Sequence, residues 1–239
     1  MKNLDRKTVA EVVTENIRTA HIFKKYGIDF CCGGSISIKK VCLRNNIDYS
    51  LLEQDLLNID KVPNTYNYNS WKLDFLIDHI INVHHSYVKE SIPLIMEYAK
   101  RVSEVHGHHY SVVLEVEKLF INLARELNSH LKKEEQILFP YIKSLIKTKN
   151  NEENFNRPSF GSVNSPIAVM ELEHELAGDI FKRIAKLTNS YVPPKEACNT
   201  FRALYSKLEE FENDLHQHIH LENNILHPKA KTLENSLLN

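Results

Sequence analysis

The chain has 239 residues, with 30 basic and 31 acidic side chains and a formal net charge of −1. This balance excludes a global field that would attract nucleic acid or an anionic membrane, and the lack of an apolar run of about 18 residues predicts no membrane span. Only six glycines and eight prolines are present, which argues against turn-rich β-sandwiches and glycine-looped nucleotide folds. Four cysteines are too few for a disulfide framework and the first residues lack an apolar signal segment, so we expect a cytoplasmic protein.

The first 60 residues predict a small helical unit. Apolar side chains at helical spacing predict its first helix over 5–26, and Gly27 is expected to end that helix. A loop with the sequence CCGG follows, and two shorter helices come after it, each with a serine as its N-cap. We expect the first of these helices to be capped by Ser35 or Ser37 and to run through Leu43. We expect the second to be capped by Ser50 and to cover 51–58.

Four long helical patterns follow and predict an antiparallel four-helix bundle, so the fold class is all-α. The polar, asparagine-rich stretch 61–69 predicts a linker before the bundle, and we divide the chain into domains at 1–62 and 70–235. A second polar stretch, 147–164, predicts a loop within the bundle. The four helices are expected over 71–103, 111–146, 166–187 and 193–233.

The motif HxxxExxILxP occurs twice, as HLKKEEQILFP from His130 and as HIHLENNILHP from His218. On a helix, residues four apart lie on one face, so each copy presents an imidazole beside a carboxylate, that of Glu134 or Glu222. In both copies the pair falls on the apolar seam of its helix, where leucine would be expected. A buried carboxylate is costly unless it is paired or bound to a metal, so two such pairs indicate a cation.

Histidines on the apolar seams of the other two helices, His85 and His174, complete the set. In an antiparallel hairpin, residues equidistant from the turn lie at one level. The midpoint of the pair His85–His130 falls at Gly107, and that of the pair His174–His218 falls next to Pro193–Pro194. The absence of thiolate disfavours structural zinc, and mixed imidazole and carboxylate ligands on four helices favour two iron ions bridged by the glutamates. The candidate metal ligands are His85, His130, Glu134, His174, His218 and Glu222.

The remaining histidines are expected to be hydrogen-bonded core or surface residues. His84 has a polar residue in its own seam, and His216 and His220 lie on the other side of their helix from His218. His106 stands at a turn, from which it could approach the mouth of the metal layer.

Cys31 and Cys32 stand beside two glycines, just before a predicted helix start. A helix N-terminus lowers the pKa of a thiol and favours the thiolate, and glycines let the backbone approach a ligand closely. This local chemistry favours redox use or iron transfer, and the alternative is a pair of small apolar side chains packed under a turn. Cys42 and Cys198 are expected to be structural.

The CCGG sequence and the two bundle motifs together resemble the RIC (repair of iron centres) family of di-iron proteins. The N-terminal unit resembles the family's ScdA-type domain, and residues 72–232 resemble its hemerythrin-like bundle. The resemblance implies that the six candidate ligands hold two irons with an oxo or hydroxo bridge. It also implies a role in repairing iron–sulfur clusters damaged by nitrosative or oxidative stress, by supplying iron.

The resemblance implies damaged iron–sulfur proteins as partners and nitric oxide or oxygen species as small-molecule ligands. Neither nucleic acid nor a membrane is expected as a partner, and a homodimer is left open. Two alternatives to the repair function stay open, namely a hemerythrin-like protein that binds or senses oxygen or nitric oxide, and a nitric oxide reductase. A purely structural bundle is disfavoured because it gives no reason to bury Glu134 and Glu222.

Overall fold

The computed structural model describes residues 4–59 and 67–238, and within them the chain is built from helices, turns and one isolated β-bridge. The predicted all-α class is confirmed. The chain divides into unit 1, which comprises Met1–Ile77 and His216–Asn239, and unit 2, which comprises Asp78–Leu215. The division into domains at 62 and 70 stays a prediction, and most of the predicted linker lies outside the described residues. None of the helices in the described ranges is long and apolar enough to cross a membrane.

The first predicted helix, in unit 1, is interrupted. Helix α1 (Val9–Glu15) ends at Asn16, whose backbone is extended with φ −150° and ψ 98°, and helix α2 begins only at Ala20 and runs Ala20–Lys25. The Asn16 side chain accepts a hydrogen bond from the backbone N–H of Arg18 and so caps a short 3₁₀ turn between the two helices. An asparagine side chain offers the backbone this alternative to a continuous helix. Gly27, with φ 67°, follows α2 as predicted.

Two further helices of unit 1 follow the CCGG loop, α3 (Ile38–Asn45) and α4 (Tyr49–Ile59). Ser37, one of the two predicted serines, is the N-cap residue of α3. The predicted cap of α4 is wrong, because the Asp48 carboxylate accepts from the backbone N–H of Ser50 at 2.8 Å. Aspartate is as good an N-cap as serine, and Asp48 directly precedes the first helical residue, Tyr49, whereas Ser50 lies within the helix.

The four long helices are present, and three of them contain a π-helical turn. Their segments are α5 (Leu73–His79), the π-turn Ile80–His85 and α6 (Ser86–His106); α7 (Val112–Lys133), the π-turn Glu134–Leu138 and α8 (Phe139–Lys149); α9 (Asn164–Leu187); and α10 (Asn199–Leu221), the π-turn Glu222–Leu226 and α11 (His227–Leu238). The predicted start of the fourth helix at 193 is wrong. Residues that precede a proline avoid the helical region, which excludes a start at 193, and a turn in which the Ala197 N–H donates to the Pro194 carbonyl precedes the helix start at Asn199.

The π-turn Glu134–Leu138 changes which side chain faces the core, whereas Ile225 in the equivalent π-turn stays buried. A π-turn places one extra residue in the helix, so the apolar seam shifts by one position after it. Ile137, which the regular seam places in the core, is 47% exposed, and its neighbour Leu138 is 1% exposed. In α9, which has no π-turn, the predicted seam residues are all buried.

Within unit 2 the helices run antiparallel. Near the first turn the Ser103 hydroxyl of α6 donates to the Val113 carbonyl of α7, and at the far end Lys89 pairs with Glu135 at 2.7 Å. Aromatic rings from α7, α9 and α10 pack in the core, where the Phe211 ring lies 5.6 Å from that of Phe120 and 5.8 Å from that of Phe181. These contacts bury the apolar seams and fix the level of the histidines further along each helix.

Candidate metal centre

Unit 2 contains four of the predicted ligands, and each is at most 2% exposed: His85, His130, Glu134 and His174. The Nε2 atoms of His85 and His130 both lie 3.3 Å from the same oxygen, Oε2 of Glu134. His174 Nε2 lies 3.0 Å from His130 Nε2. The candidate ligand atoms of His130, Glu134 and His174 are all within 4.8 Å of one another. A buried group of imidazole nitrogens around a carboxylate is a donor set that can hold a metal ion.

The outer nitrogens of two of these imidazoles contact carboxylates that the sequence analysis did not single out. His85 Nδ1 lies 2.7 Å from Glu135 Oε1, and His130 Nδ1 lies 2.9 Å from Glu173 Oε2. A carboxylate that accepts a hydrogen bond from Nδ1–H fixes the tautomer in which Nε2 carries the lone pair, which is the arrangement found in metal-binding histidines. The chemistry of these four groups therefore fits a bound cation.

Both outer carboxylates are held in the charged form. The hydrogen bond from His130 and the ion pair with Lys133 lower the pKa of Glu173 to about 2, although partial burial opposes the shift. Burial alone would raise the pKa of Glu135, but hydrogen bonds from Lys89 and His85 outweigh it and lower that pKa. Each anionic carboxylate makes its histidine a more basic ligand.

Unit 1 contains the other two predicted ligands, His218 and Glu222, which are both buried. His218 Nε2 lies 3.2 Å from Glu222 Oε1, across one turn of the helix. His218 belongs to α10 (Asn199–Leu221), and Glu222 begins the π-turn that follows without a break. This pair is a second buried imidazole and carboxylate group of the kind that can bind a metal.

The cysteine loop, also in unit 1, is organised by the Asp29 carboxylate. Its Oδ1 atom accepts from the backbone N–H groups of Cys31 and Cys32, both at 3.1 Å, and from the Cys31 thiol at 3.3 Å. The hydrogen bond with Cys32 and the burial of the thiol raise the pKa of Cys31 well above its usual value. The predicted thiolate at a helix N-terminus is therefore wrong for Cys31, because α3 begins only at Ile38 and a nearby carboxylate opposes ionisation.

Several other histidines are more buried than a surface role requires. His84 is buried and its Nδ1 lies 2.9 Å from Asp214 Oδ1. Burial lowers the pKa of His220 to about 4, against a smaller opposite effect of the Phe30 carbonyl, so this imidazole is neutral near pH 7. His106 Nε2 contacts the Sγ atom of Cys198 at 3.2 Å, and Cys198, expected to be structural, is exposed.

A cleft between α7 and α9, within unit 2, has a volume of about 490 Å³. Leucine side chains such as Leu123, Leu127 and Leu176 form much of its wall, and His130 and His174 also line it. The cleft therefore gives two of the candidate ligands a largely apolar approach, which suits a small uncharged molecule.

Two family models match this chain, over different residues. A family model described as the hemerythrin HHE cation binding domain matches residues 76–230, and a model named ScdA_N, a domain of unknown function (DUF542), matches residues 5–60. The iron-sulfur cluster repair protein YtfE of Escherichia coli O81 (strain ED1a) is 38% identical over 213 residues, which are 89% of this chain and 91% of that protein. Proteins of the same name from Escherichia coli O1:K1 / APEC and Escherichia fergusonii are 37% identical over the same shares.

The chain therefore belongs to the hemerythrin HHE cation-binding family, among relatives that are named iron-sulfur cluster repair proteins. The resemblance drawn from the CCGG sequence and the two motifs is thereby confirmed.

Proposed function

We propose that the protein repairs iron–sulfur clusters damaged by nitrosative or oxidative stress, by supplying iron from a centre of two irons. The observation that carries this proposal is the buried group in unit 2, in which two imidazoles approach one oxygen of Glu134. The similarity to proteins named for iron–sulfur cluster repair supports the choice of function. The proposed ligands are His85, His130, Glu134, His174, His218 and Glu222.

Charge and ligand type favour iron in this donor set. The six proposed ligands are nitrogen and oxygen donors without thiolate, which suits iron better than structural zinc. Two divalent ions bring four positive charges, and the carboxylates of Glu134, Glu222, Glu135 and Glu173 supply four negative ones. A buried site of this kind is tolerated because the ions and the acids neutralise one another. The bound irons would supply redox chemistry and an exchangeable metal.

The chain's own residues determine how the ions are held. Glu135 and Glu173 each accept a hydrogen bond from an Nδ1–H group, so they orient His85 and His130 with Nε2 towards Glu134. Lys89 and Lys133, at the rim, pair with these outer carboxylates and keep them charged. We place this chemistry in the cytoplasm, where cysteines such as Cys31 and Cys32 stay reduced.

Metal analysis and Mössbauer spectroscopy of the purified protein test the centre. We expect two irons per chain with a coupled spectrum, and a loss of iron in Glu134→Ala and Glu222→Ala. Glu175→Ala, an exposed acid on α9, is the matched control and keeps both irons. A wild-type protein without iron, or a Glu134→Ala variant that retains both ions, would contradict the proposed ligand set.

We assign Cys31 and Cys32 a part in iron transfer or redox exchange with the damaged client. Cys32 is the more exposed of the two thiols, so it is the first to meet an incoming group. The test measures how far a nitric-oxide-treated [4Fe–4S] enzyme regains activity with the Cys31→Ala and Cys32→Ala variants and with the variant that carries both changes. Cys198→Ala is the control for loss of an exposed cysteine. Wild-type reactivation by the double variant would exclude a role for the pair.

The apolar cleft favours one second candidate function, the binding or reduction of nitric oxide at the same centre. Its leucine-lined wall beside His130 and His174 suits a small uncharged gas. Gas analysis of the protein with an excess of an external reductant distinguishes the cases. Each nitrous oxide formed from two nitric oxide molecules consumes two electrons and two protons, so several equivalents per centre indicate turnover, and a single equivalent indicates one stoichiometric reaction.

A further inference from the structure

The two copies of the HxxxExxILxP motif differ at the positions that do not carry the motif. Lys132 and Gln136 of the first copy are both exposed. The equivalent residues of the second copy are His220, which is buried, and Asn224, which is half-buried. The same helical turn therefore meets solvent in one copy and protein in the other.

The protein that covers the second copy is the cysteine loop, and both belong to unit 1. The Asn224 side-chain amide donates towards the backbone carbonyls of Phe30 at 3.4 Å and Cys31 at 3.3 Å. The same amide lies 3.0 Å from Nδ1 of His220. Asn223 Nδ2 lies 3.9 Å from the Sγ atom of Cys32.

The loop is also packed closely on its other side. A Cβ atom at Gly34 would lie 2.5 Å from the Phe30 carbonyl oxygen and 2.9 Å from the Cβ atom of Ala10 in α1. The Phe30 ring packs edge-on against His220, with 6.1 Å between the ring centroids. The loop is thus held between α1 and the turn that begins with Glu222.

We propose that Asn224 is the positioning residue that fixes the Cys31–Cys32 loop against the metal-ligand turn of Glu222. This inference rests on the proposed function, because it gives the thiols a defined place next to one proposed iron ligand. Asn224 is the second residue after Glu222 in the same π-turn. A movement of this turn therefore shifts the cysteine loop, and a movement of the loop shifts the turn. In the first copy of the motif the equivalent residue, Gln136, faces solvent.

The test measures thiol labelling in the metal-free, full-length protein, in a Cys198→Ser background that removes the exposed thiol. Asn224→Ala deletes the amide, and Asn224→Asp keeps its shape but replaces both donors by acceptors that face two carbonyls. We expect both variants to raise the rate at which a thiol reagent labels the loop cysteines by about tenfold, because the loop opens more often when its hydrogen bonds are lost. Gln136→Ala, the equivalent change in the first copy, keeps the parental rate.

A second readout addresses the role in iron handling, with the iron-loaded protein reduced and then mixed with an iron(II) chelator. We expect Asn224→Asp to retain the iron of the parent protein but to alter the rate of iron release at least about threefold, whereas Gln136→Ala leaves that rate unchanged. Unchanged labelling in both Asn224 variants, with a folded circular dichroism spectrum, overturns the positioning role whatever the metal content. Faster labelling with an unchanged release rate overturns the link to the iron site and leaves the proposed repair function intact.

Discussion

Replacing Glu173 by glutamine tests whether the outer carboxylates tune the metal site. Glu173 accepts from His130 Nδ1 at 2.9 Å, and its pKa of about 2 keeps it charged at neutral pH. Loss of such a carboxylate typically costs about 10–100-fold in metal affinity, or about 1.4–2.7 kcal/mol. The glutamine oxygen still accepts a hydrogen bond from Nδ1–H and so preserves the tautomer, and we therefore expect Glu173→Gln to lower the affinity about tenfold. Glu173→Ala removes the acceptor as well and belongs near the hundredfold end.

The affinity is measured anaerobically, by competition between the protein and an iron(II) chelator of known affinity. Glu175→Gln is the control, because it makes the same charge change on an exposed position of α9. Circular dichroism shows whether each variant keeps its helices. If Glu173→Gln and Glu175→Gln bind iron equally well, Glu173 does not tune His130, and the reasoning from its contact distance fails.

Three further predictions concern stability. Gly34→Ala should destabilise unit 1 by about 1–3 kcal/mol in urea unfolding, because the added Cβ atom would overlap the Phe30 carbonyl. Gly33→Ala should destabilise it less, because the nearest neighbour of its Cβ atom is a side-chain atom at 3.3 Å. Phe181→Ala should cost about 3–5 kcal/mol in the same assay by emptying a fully buried site, and a cost below about 1 kcal/mol would contradict the described core. Removal of the metal should lower the melting temperature by about 5 °C or more, because a ligand that binds only the folded state stabilises it, and equal melting of loaded and metal-free protein would argue against binding at the core.

The sequence predicted best where a helix is regular. In α9 a single period of the helix relates Ile167, His174 and Ile184, so the seam could be extrapolated along its whole length and all three are buried. At Ile137 the same extrapolation was wrong, because the π-turn moves the core position to Leu138, although Tyr141 further along is buried as predicted. Periodicity gives the face of a helix only as long as the number of residues per turn stays constant.

Contacts between distant residues lay beyond the sequence pattern. Glu135 and Glu173 stand next to proposed ligands in the chain, but neighbours on a helix point about 100° apart, so adjacency does not show which histidine they reach. Each instead contacts an imidazole from another helix, and this depends on how the helices pack. The hydrogen bond from Asn224 to the Cys31 carbonyl also depends on packing, since these two residues are separated by 193 positions in the chain.

The recurrent proline of the motif gives a physical reason for two of the three described π-turns, since Ile80–His85 has no proline directly after it. In the two copies, the backbone N–H groups of Phe139 and His227 bond to the carbonyls of Glu134 and Glu222, five residues earlier, and Pro140 and Pro228 come next. A proline has no N–H, and its ring clashes with the carbonyl four residues before it, so a regular α-turn is penalised at that point. Widening the preceding turn relieves the clash and begins the wide turn at the glutamate itself. In both copies of HxxxExxILxP the wide turn thus begins at the glutamate, six residues before the proline, and the backbone there presents each proposed bridging carboxylate.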